Sequence, residues 1–303
     1  MIKIPNPNLK DDIGVLAENY KSLLPHKDAI AIKRKAVLLD LAHLMLPFFD
    51  PMTEQAIDLY RDFVSRVPAM DVTEKMELCY RIAASLDVAR PFSPIEQEDR
   101  ESLSPEFEKI SYVASPYSET LLKAFRTALR APRYRAEEEL SFLAACENVY
   151  HGNARYAILP IENSSDGKLL SFYSLIDKYE LKILYVYDLI HPNDESTKFA
   201  LLGKYLSFPE KKWLDRAWFE FSLHTDHGND LAPLLQAASL CHLDVRRVDA
   251  IPHKYWERSF VYYVTVQTNH AGFVPYMLFL ALEYPQYTPI GIFYHSELTG
   301  GLS

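Results

Sequence analysis

The fold of the central part of the chain follows from Ile158-Leu159-Pro160-Ile161-Glu162-Asn163-Ser164-Ser165-Asp166-Gly167. The apolar residues from Tyr156 to Leu159 predict a buried strand, and a polar loop comes directly after it. Open α/β sheets place their ligand sites where buried strands end in such loops. Asn and Ser side chains can hydrogen-bond a carboxylate or a hydroxyl, and Gly167 lets the backbone come close. The same residues equally suit an ordinary β-turn, so residue chemistry alone leaves both interpretations open.

Short strands and helices alternate on both sides of this stretch, from residue 109 to residue 206. The predicted strands are Ile110–Ala114, Tyr156–Ile161, Leu181–Leu189 and Phe199–Tyr205. The predicted helices are Glu119–Arg130, Glu138–His151 and Leu169–Lys178. This order predicts a βα lobe with a mainly parallel sheet.

The flanking segments predict two different architectures. Residues 1–108 carry apolar residues at helical spacing and end in a Pro-rich, acidic linker, and Asp71, Thr73 and Glu74 open the fourth helix. The consecutive Lys33, Arg34 and Lys35 predict a solvated helix face. Residues 214–303 have the order β-α-β-β-α-β, which is ferredoxin-like. The whole is therefore predicted to be an α/β and α+β multidomain chain with an all-helical N-terminal region.

Composition excludes several classes of protein. The net charge of −9, without a long Lys/Arg run, argues against a nucleic-acid partner. Three scattered cysteines, without paired spacing, predict no zinc site and a reducing compartment. No apolar run reaches the ~18 residues that a membrane helix needs, and the N-terminus lacks a signal-peptide core. We therefore expect a cytoplasmic protein without a membrane partner, metal or cofactor.

The loop in residues 159–167 resembles the Pro-Ile-Glu-Asn-Ser loop of the prephenate dehydratase family. Downstream, Ser196-Thr197-Lys198-Phe199 is similar to the Thr-Arg-Phe motif of that family. The resemblance covers about the last two thirds of the chain. Its flanks match the family at Phe142, Val149, Gly152, Ala154, Tyr156 and Ala157.

The resemblance implies a lobe of the type II periplasmic-binding-protein-like dehydratase fold. It implies that Thr197 and Glu162 are catalytic. It also implies that the substrate, which carries two carboxylates and a ring hydroxyl, is contacted by a wider set of side chains: Asn163, Ser164, Lys198, Phe199, Ser115, Tyr117 and Ser118.

Three departures from the family pattern bear on activity. The first loop, residues 114–119, keeps the Tyr-Ser end of the family's loop but loses its glycines. Lys198 replaces the family's Arg, and an ammonium cannot offer a carboxylate a planar fork. Only residues 190–195 stand where the family has its whole second lobe, and six residues can form a turn but not a lobe.

The C-terminal segment resembles the ACT module that family enzymes carry for phenylalanine feedback. This resemblance implies a homodimer that binds an amino acid between its subunits. Residues 248–252 stand where the family has Glu-Ser-Arg-Pro, so the Arg is lost. The residues that match effector-binding positions are Gly228, Asn229, Leu231, Asp249 and Pro252.

The sequence thus favours a divergent prephenate dehydratase homologue in aromatic amino-acid (L-phenylalanine) metabolism. It favours a ligand-binding or regulatory role with lost or altered dehydratase activity, and prephenate or L-phenylalanine as the ligand. Whether the chain is an enzyme stays open. The alternative is an active dehydratase, or a related prephenate lyase, whose pocket is completed by the N-terminal helices. A third possibility is an interaction scaffold that binds no small ligand.

Overall fold

The computed structural model describes residues 9–22, 31–48, 54–67, 70–86, 109–129, 134–191, 195–208, 211–225, 231–252 and 260–299. The helices are α1 (Leu9–Ser22), α2 (Ala31–Met45), α3 (Glu54–Arg66), α4 (Val72–Ser85), α5 (Ser118–Ala128), α6 (Phe142–Tyr150), α7 (Leu170–Lys178), α8 (Ala232–Leu240) and α9 (Phe273–Glu283). The strands are β1 (Lys109–Val113), β2 (Arg135–Glu139), β3 (Tyr156–Asn163), β4 (Gly167–Lys168), β5 (Lys182–Ile190), β6 (Ser196–Gly203), β7 (Ala217–Thr225), β8 (Asp244–Pro252), β9 (Phe260–Gln267) and β10 (Thr288–Thr299).

These elements belong to two compact units, which divide the chain differently from the predicted segments. Unit 1 comprises residues 1–92 and 223–287, and unit 2 comprises residues 93–222 and 288–303. The predicted order β-α-β-β-α-β is observed from β7 to β10. However, β10 lies in unit 2, because it pairs in parallel with β5 and antiparallel with β7.

The sheet of unit 2 is mixed, so the prediction of a mainly parallel sheet is wrong. Its strand order is β2-β1-β3-β6-β5-β10-β7, and β4 forms a hairpin with β3. Strand β1 is parallel to β2 and β3, whereas β6 is antiparallel to both β3 and β5. The cause is the short connection between β5 and β6: a few residues can join antiparallel neighbours, but a parallel pair needs a long crossover.

The predicted helix Glu138–His151 is wrong at its start, because Glu138 and Glu139 belong to strand β2. Its sequence, Arg-Ala-Glu-Glu-Glu, favours helices but pairs in parallel with β1 at the edge of the sheet. Charged residues are common on edge strands, and Lys109 forms an ion pair with Glu137 at 2.8 Å. Helix α6 begins only after Ser141, whose Oγ accepts a hydrogen bond from the N–H of Ala144 at 3.1 Å.

One hydrophobic cluster of unit 2 lies between the sheet and α5. Helix α5 contributes Leu121, Leu122 and Phe125, which pack on Ile158 of β3 and Leu201 of β6. Several tyrosines complete this layer, and the Phe125 and Tyr187 rings meet edge to face at 5.0 Å. The α5 side of the sheet is therefore largely apolar, so polar side chains on this side are candidates for a functional site.

In unit 1 the N-terminal helices pack against α8 and α9. The predicted start of α4 is confirmed, because Asp71 and Glu74 form a capping box. Tyr80 of α4 donates a hydrogen bond to the carbonyl of Leu240 at 3.3 Å. Lys75 donates to Glu283 of α9 at 2.6 Å, and Tyr60 of α3 bonds the other oxygen of that carboxylate. The helical region thus continues the helix layer of the C-terminal segment.

The basic run of α2 is only partly the solvated face that was predicted. Lys33 and Lys35 are exposed, whereas Arg34 is half-buried. Arg34 donates to the Tyr20 hydroxyl at 2.7 Å and pairs with Glu74 of α4. The central residue of the run therefore ties α2 to its neighbours.

Helix α9 is the most apolar of the described helices of unit 1. All ten residues in the range 273–282 are buried. Even so, in the part of the chain that the structure describes, no helix is long and apolar enough to cross a membrane.

Candidate functional site

The residues of the dehydratase-like loop and of the Thr-Lys-Phe motif meet where β3 ends and β6 begins. Strand pairing puts Glu162 opposite Lys198, and Asn163 opposite Thr197. Successive side chains of a strand point to opposite faces, so these two pairs lie on opposite faces of the sheet. Phe199 shares the face of Thr197 and packs against the hydrophobic core beside α5. The matched residues therefore contribute to two surfaces instead of one pocket.

On one face, Lys198 is paired within the protein. Its Nζ donates a hydrogen bond to Glu162 Oε1 at 2.8 Å, and the two side chains are 24% and 20% exposed. An ammonium is a point charge without the planar geometry of a guanidinium. The cation that the resemblance assigns to a substrate carboxylate is thus held by a carboxylate of the same sheet.

Asn163 and Ser164 are engaged in the turn that follows β3. Asn163 Nδ2 donates to Asp166 Oδ2 at 2.9 Å, and its Oδ1 accepts from the backbone N–H of Asp166. Ser164 Oγ accepts from the N–H of Ser196 at 3.1 Å. Gly167 has φ of 70°, which suits glycine, and it starts the return strand β4. Residue chemistry left open whether this stretch is a ligand loop or an ordinary turn. A turn accounts for the hydrogen bonds of both Asn163 and Ser164.

The first loop is a turn that leads into α5 and is closed by hydrogen bonds of Ser115 and Ser118. The Ser115 and Ser118 hydroxyl oxygens are 3.1 Å apart, and the Ser118 hydroxyl accepts from the N–H of Ser115 at 2.8 Å. A groove of about 1020 Å³ lies beside this turn, lined in part by Lys123 and Arg126 of α5. The two serines that match substrate-binding positions therefore also shape the loop itself.

A histidine that sequence reasoning missed lies at the same edge of the sheet. His191 Nε2 is 2.9 Å from Thr197 Oγ1. The imidazole also packs against the ring of Tyr117, with the ring centroids 4.9 Å apart. Its backbone N–H donates to the carbonyl of Glu195 at 2.7 Å and so closes the β5–β6 turn. An imidazole bonded to a hydroxyl can exchange a proton with it, and a histidine directly after a predicted strand was the available signal.

The face that carries Lys198 continues as a row of ionisable side chains across neighbouring strands. Asp188 of β5 lies opposite Lys198, and Glu297 of β10 lies beside Asp188. His295 of β10 stacks on Trp218 with the ring centroids 4.7 Å apart. Asp188 Oδ1 and His295 Nε2 are buried without a hydrogen bond to the described residues. The described ranges hold no cluster of His, Cys, Asp or Glu suited to a metal ion. We name the following residues the charged row: Glu162, Lys198, Asp188, His295 and Glu297.

The half-buried position of His295 predicts a loss of stability at mildly acidic pH. Burial lowers the pKa of His295, and Lys198 lowers it further. Three carboxylates partly oppose this lowering of the pKa: Asp188, Glu297 and Glu162. The unfolded chain therefore takes up this proton first, at about pH 6.5, and the free energy of unfolding falls below that pH until the folded imidazole is protonated.

We expect His295→Gln to reduce this acid sensitivity in urea unfolding at pH 7.5 and pH 5.5. The contribution of one such group is at most about 1.4 kcal/mol per pH unit. The exposed His151 provides the control, since His151→Gln should leave the pH dependence as it is. An unchanged slope in the His295 variant would contradict the assignment.

A buried ion pair lies on the same sheet. The Lys168 ammonium pairs with Glu220 of β7, and the side chains are only 6% and 4% exposed. Tyr173 of α7 donates to Glu220 Oε2 at 3.2 Å, and the Lys168 ammonium lies 4.2 Å from the centre of the Tyr173 ring. Sequence reasoning did not single out these three residues, which lie on three different elements.

The residues that match effector-binding positions lie in unit 1 where the structure describes them. Leu231 immediately precedes α8. Asp249 of β8 accepts a hydrogen bond from Arg247 Nε at 2.8 Å, and Pro252 lies opposite Phe260 of β9. Two further positions of this set lie outside the described residues: Gly228 and Asn229.

Comparison with known proteins gives structural similarity at low sequence identity. No protein-family model matches the chain, and no curated protein matches it. GqqA, described as a novel type of quorum quenching acylase, is 17% identical with a TM-score of 0.49, over 62% of this chain and 95% of that chain. The prephenate dehydratase of Streptococcus mutans is 16% identical with a TM-score of 0.49, over 62% and 98% of the two chains. The prephenate dehydratase of Arthrobacter aurescens in complex with L-Phe is 13% identical with a TM-score of 0.49, over 61% and 90%.

Proposed function

We propose that this chain is a divergent prephenate dehydratase homologue that binds a small aromatic acid or amino acid in L-phenylalanine metabolism. In this proposal it acts as a ligand-binding or regulatory protein and not as an efficient dehydratase. One observation carries it: four polar side chains that match the dehydratase site are bonded to neighbours of the same chain. The pairs are Glu162 with Lys198, Asn163 with Asp166, Ser164 with Ser196, and Thr197 with His191.

The short β5–β6 connection supports binding over catalysis. Ile190 pairs with Ser196 across the turn, so a few residues stand where the family has its second lobe. A site without a second lobe stays in contact with water, and water weakens the electrostatic stabilisation that a transition state needs. Reversible binding of a ligand does not require this stabilisation of a transition state.

The packing of the N-terminal helices supports a regulatory role for these helices within unit 1. Helix α4 contacts α8 and α9 through Tyr80 and Lys75. In the proposal, these helices and the ACT-like segment together form the regulatory part, which functions as a homodimer. Light scattering during gel filtration would test the dimer directly.

The central experiment follows two signals in the purified protein. We expect no rapid formation of phenylpyruvate from prephenate, together with thermal stabilisation by prephenate or L-phenylalanine. Lys198→Met should weaken the response to prephenate, whereas Lys204→Met, at an exposed lysine just after β6, should not. Rapid phenylpyruvate formation would contradict the proposal. No stabilisation by any aromatic acid or amino acid would favour an interaction scaffold.

The contact of His191 with Thr197 favours an active lyase as a second candidate. Dehydration requires a proton for the departing hydroxyl, and a hydroxyl bonded to an imidazole can deliver one. This candidate requires that Thr197→Ala, Glu162→Ala and His191→Gln abolish turnover while the fold is retained. Turnover that survives His191→Gln would exclude a proton-donor role for this histidine.

A further inference from the structure

Lys198 is an ammonium that solvent can reach at the end of a central strand. Its side chain is 24% exposed, and its Nζ lies 2.8 Å from Glu162 Oε1. Strand β6 lies between β3 and β5, so Lys198 is flanked by Glu162 on one side and by Asp188 on the other. The edge formed by strand ends is where α/β sheets bind ligands.

We propose that Glu162 is a built-in competitor, whose carboxylate occupies Lys198 until the carboxylate of a small ligand displaces it. This inference rests on the proposed ligand-binding function and names the class of ligand. A second ammonium, that of Lys168, lies opposite Glu162 on β4, but its side chain is only 6% exposed and it is paired with Glu220. Lys198 is therefore the ammonium of this face that we expect a ligand to reach, and one point charge pairs well with one carboxylate at a time. A ligand that arrives beside a retained Glu162 would meet a like charge at short range.

The other members of the charged row restrict the ligand to a monocarboxylate. Asp188 and Glu297 are neighbours on β5 and β10, and both add negative charge to this face. Exchange of Glu162 for one ligand carboxylate keeps the charge around Lys198 constant. A second carboxylate on the ligand would add repulsion, because the neighbouring Lys168 ammonium is buried in its own ion pair. We therefore infer that aromatic monocarboxylates bind more tightly than aromatic dicarboxylates.

The decisive variant is Glu162→Gln, which keeps the shape of the side chain but removes its charge. We measure the Kd of 3-phenylpropionate by titration calorimetry with the full chain. Glu162→Gln should bind about tenfold more tightly than the parent, the effect of removing one close like charge. The matched control is Glu137→Gln, which removes the carboxylate of another lysine pair on the same sheet and should leave the Kd unchanged.

Lys198→Arg provides a second variant that keeps Glu162 in place. A guanidinium can bond two carboxylates at once, so this variant should also bind 3-phenylpropionate more tightly than the parent. Parent-like or weaker binding by Glu162→Gln, with measurable binding by the parent, would overturn the competitor role and leave the proposed function standing. No binding by the parent or by either variant would overturn both.

Discussion

Glu220→Ala is expected to destabilise unit 2 by about 3–5 kcal/mol, because it leaves the Lys168 ammonium in a buried position without its carboxylate. The Lys168 side chain is 6% exposed, so water cannot readily replace the lost partner. The substitution also removes the acceptor of the Tyr173 hydroxyl. Urea unfolding, combined with hydrogen exchange of the β7 amides, measures the loss in the unit concerned.

Two further variants test whether the destabilisation by Glu220→Ala comes from the burial of the Lys168 ammonium or from the loss of an ion pair as such. Glu137→Ala breaks the exposed pair with Lys109, whose side chains are 43% and 32% exposed, and should cost no more than about 1 kcal/mol. The double variant Lys168→Met/Glu220→Leu should recover most of the loss, because well-packed apolar residues often replace a buried pair without cost. A single Glu220→Ala variant as stable as Glu137→Ala would contradict the argument.

The sequence predicted local structure best where a buried strand and its turn are encoded together. The stretch 158–167 forms a strand and a tight hairpin, because apolar residues precede Asn163 and Gly167 supplies the positive φ. The sequence likewise predicted the start of α4, where Asp71 and Glu74 form a capping box. In both cases the deciding contacts lie within a few residues along the chain.

Prediction failed where long-range pairing overrides local preference. Strand β2 has helix-favouring residues, and only its pairing with β1 makes it a strand. Strand β10 was assigned to the C-terminal segment, but its pairing with β5 brings it into unit 2. The same pairing explains why the sequence did not predict the charged row. His295 interacts electrostatically with Lys198 and Asp188 only because β10, which is distant in sequence, pairs with β5.

At the candidate site, the sequence motif alone does not predict on which face of the sheet each side chain lies. The resemblance to the dehydratase motif implies that Thr197, Lys198 and Phe199 share one pocket. Strand alternation instead puts Lys198 on the face opposite the other two. The contact between Thr197 and His191 depends on the length of the β5–β6 turn. Spacing within the motif therefore identified the strand but not the partners of its side chains.

Gly272→Ala is the second large effect that we expect, with unit 1 destabilised by about 1–3 kcal/mol or more through overpacking. Gly272 immediately precedes α9, and a Cβ there would lie 2.0 Å from the carbonyl oxygen of Cys241. The Asn269 side chain fixes this approach, since it accepts from the N–H of Gly272 and donates to the carbonyls of Cys241 and His242. The backbone must shift to admit the methyl group, so these bonds are lost together.

Gly14→Ala is the matched comparison in the same unit, and it should have the opposite sign. A Cβ at Gly14, inside α1, would meet the Nη1 atom of Arg66 at 2.9 Å, and this side-chain end can move aside. Alanine favours a helix interior over glycine by about 0.8–1.0 kcal/mol, so a small gain in stability is expected. Thermal unfolding of both variants, checked by hydrogen exchange in α9 and α1, gives the comparison. If Gly272→Ala were as stable as Gly14→Ala, the close approach of α9 to the Cys241 turn could not be a constraint on unit 1, because helix propensity alone separates the two positions by no more than about 1 kcal/mol.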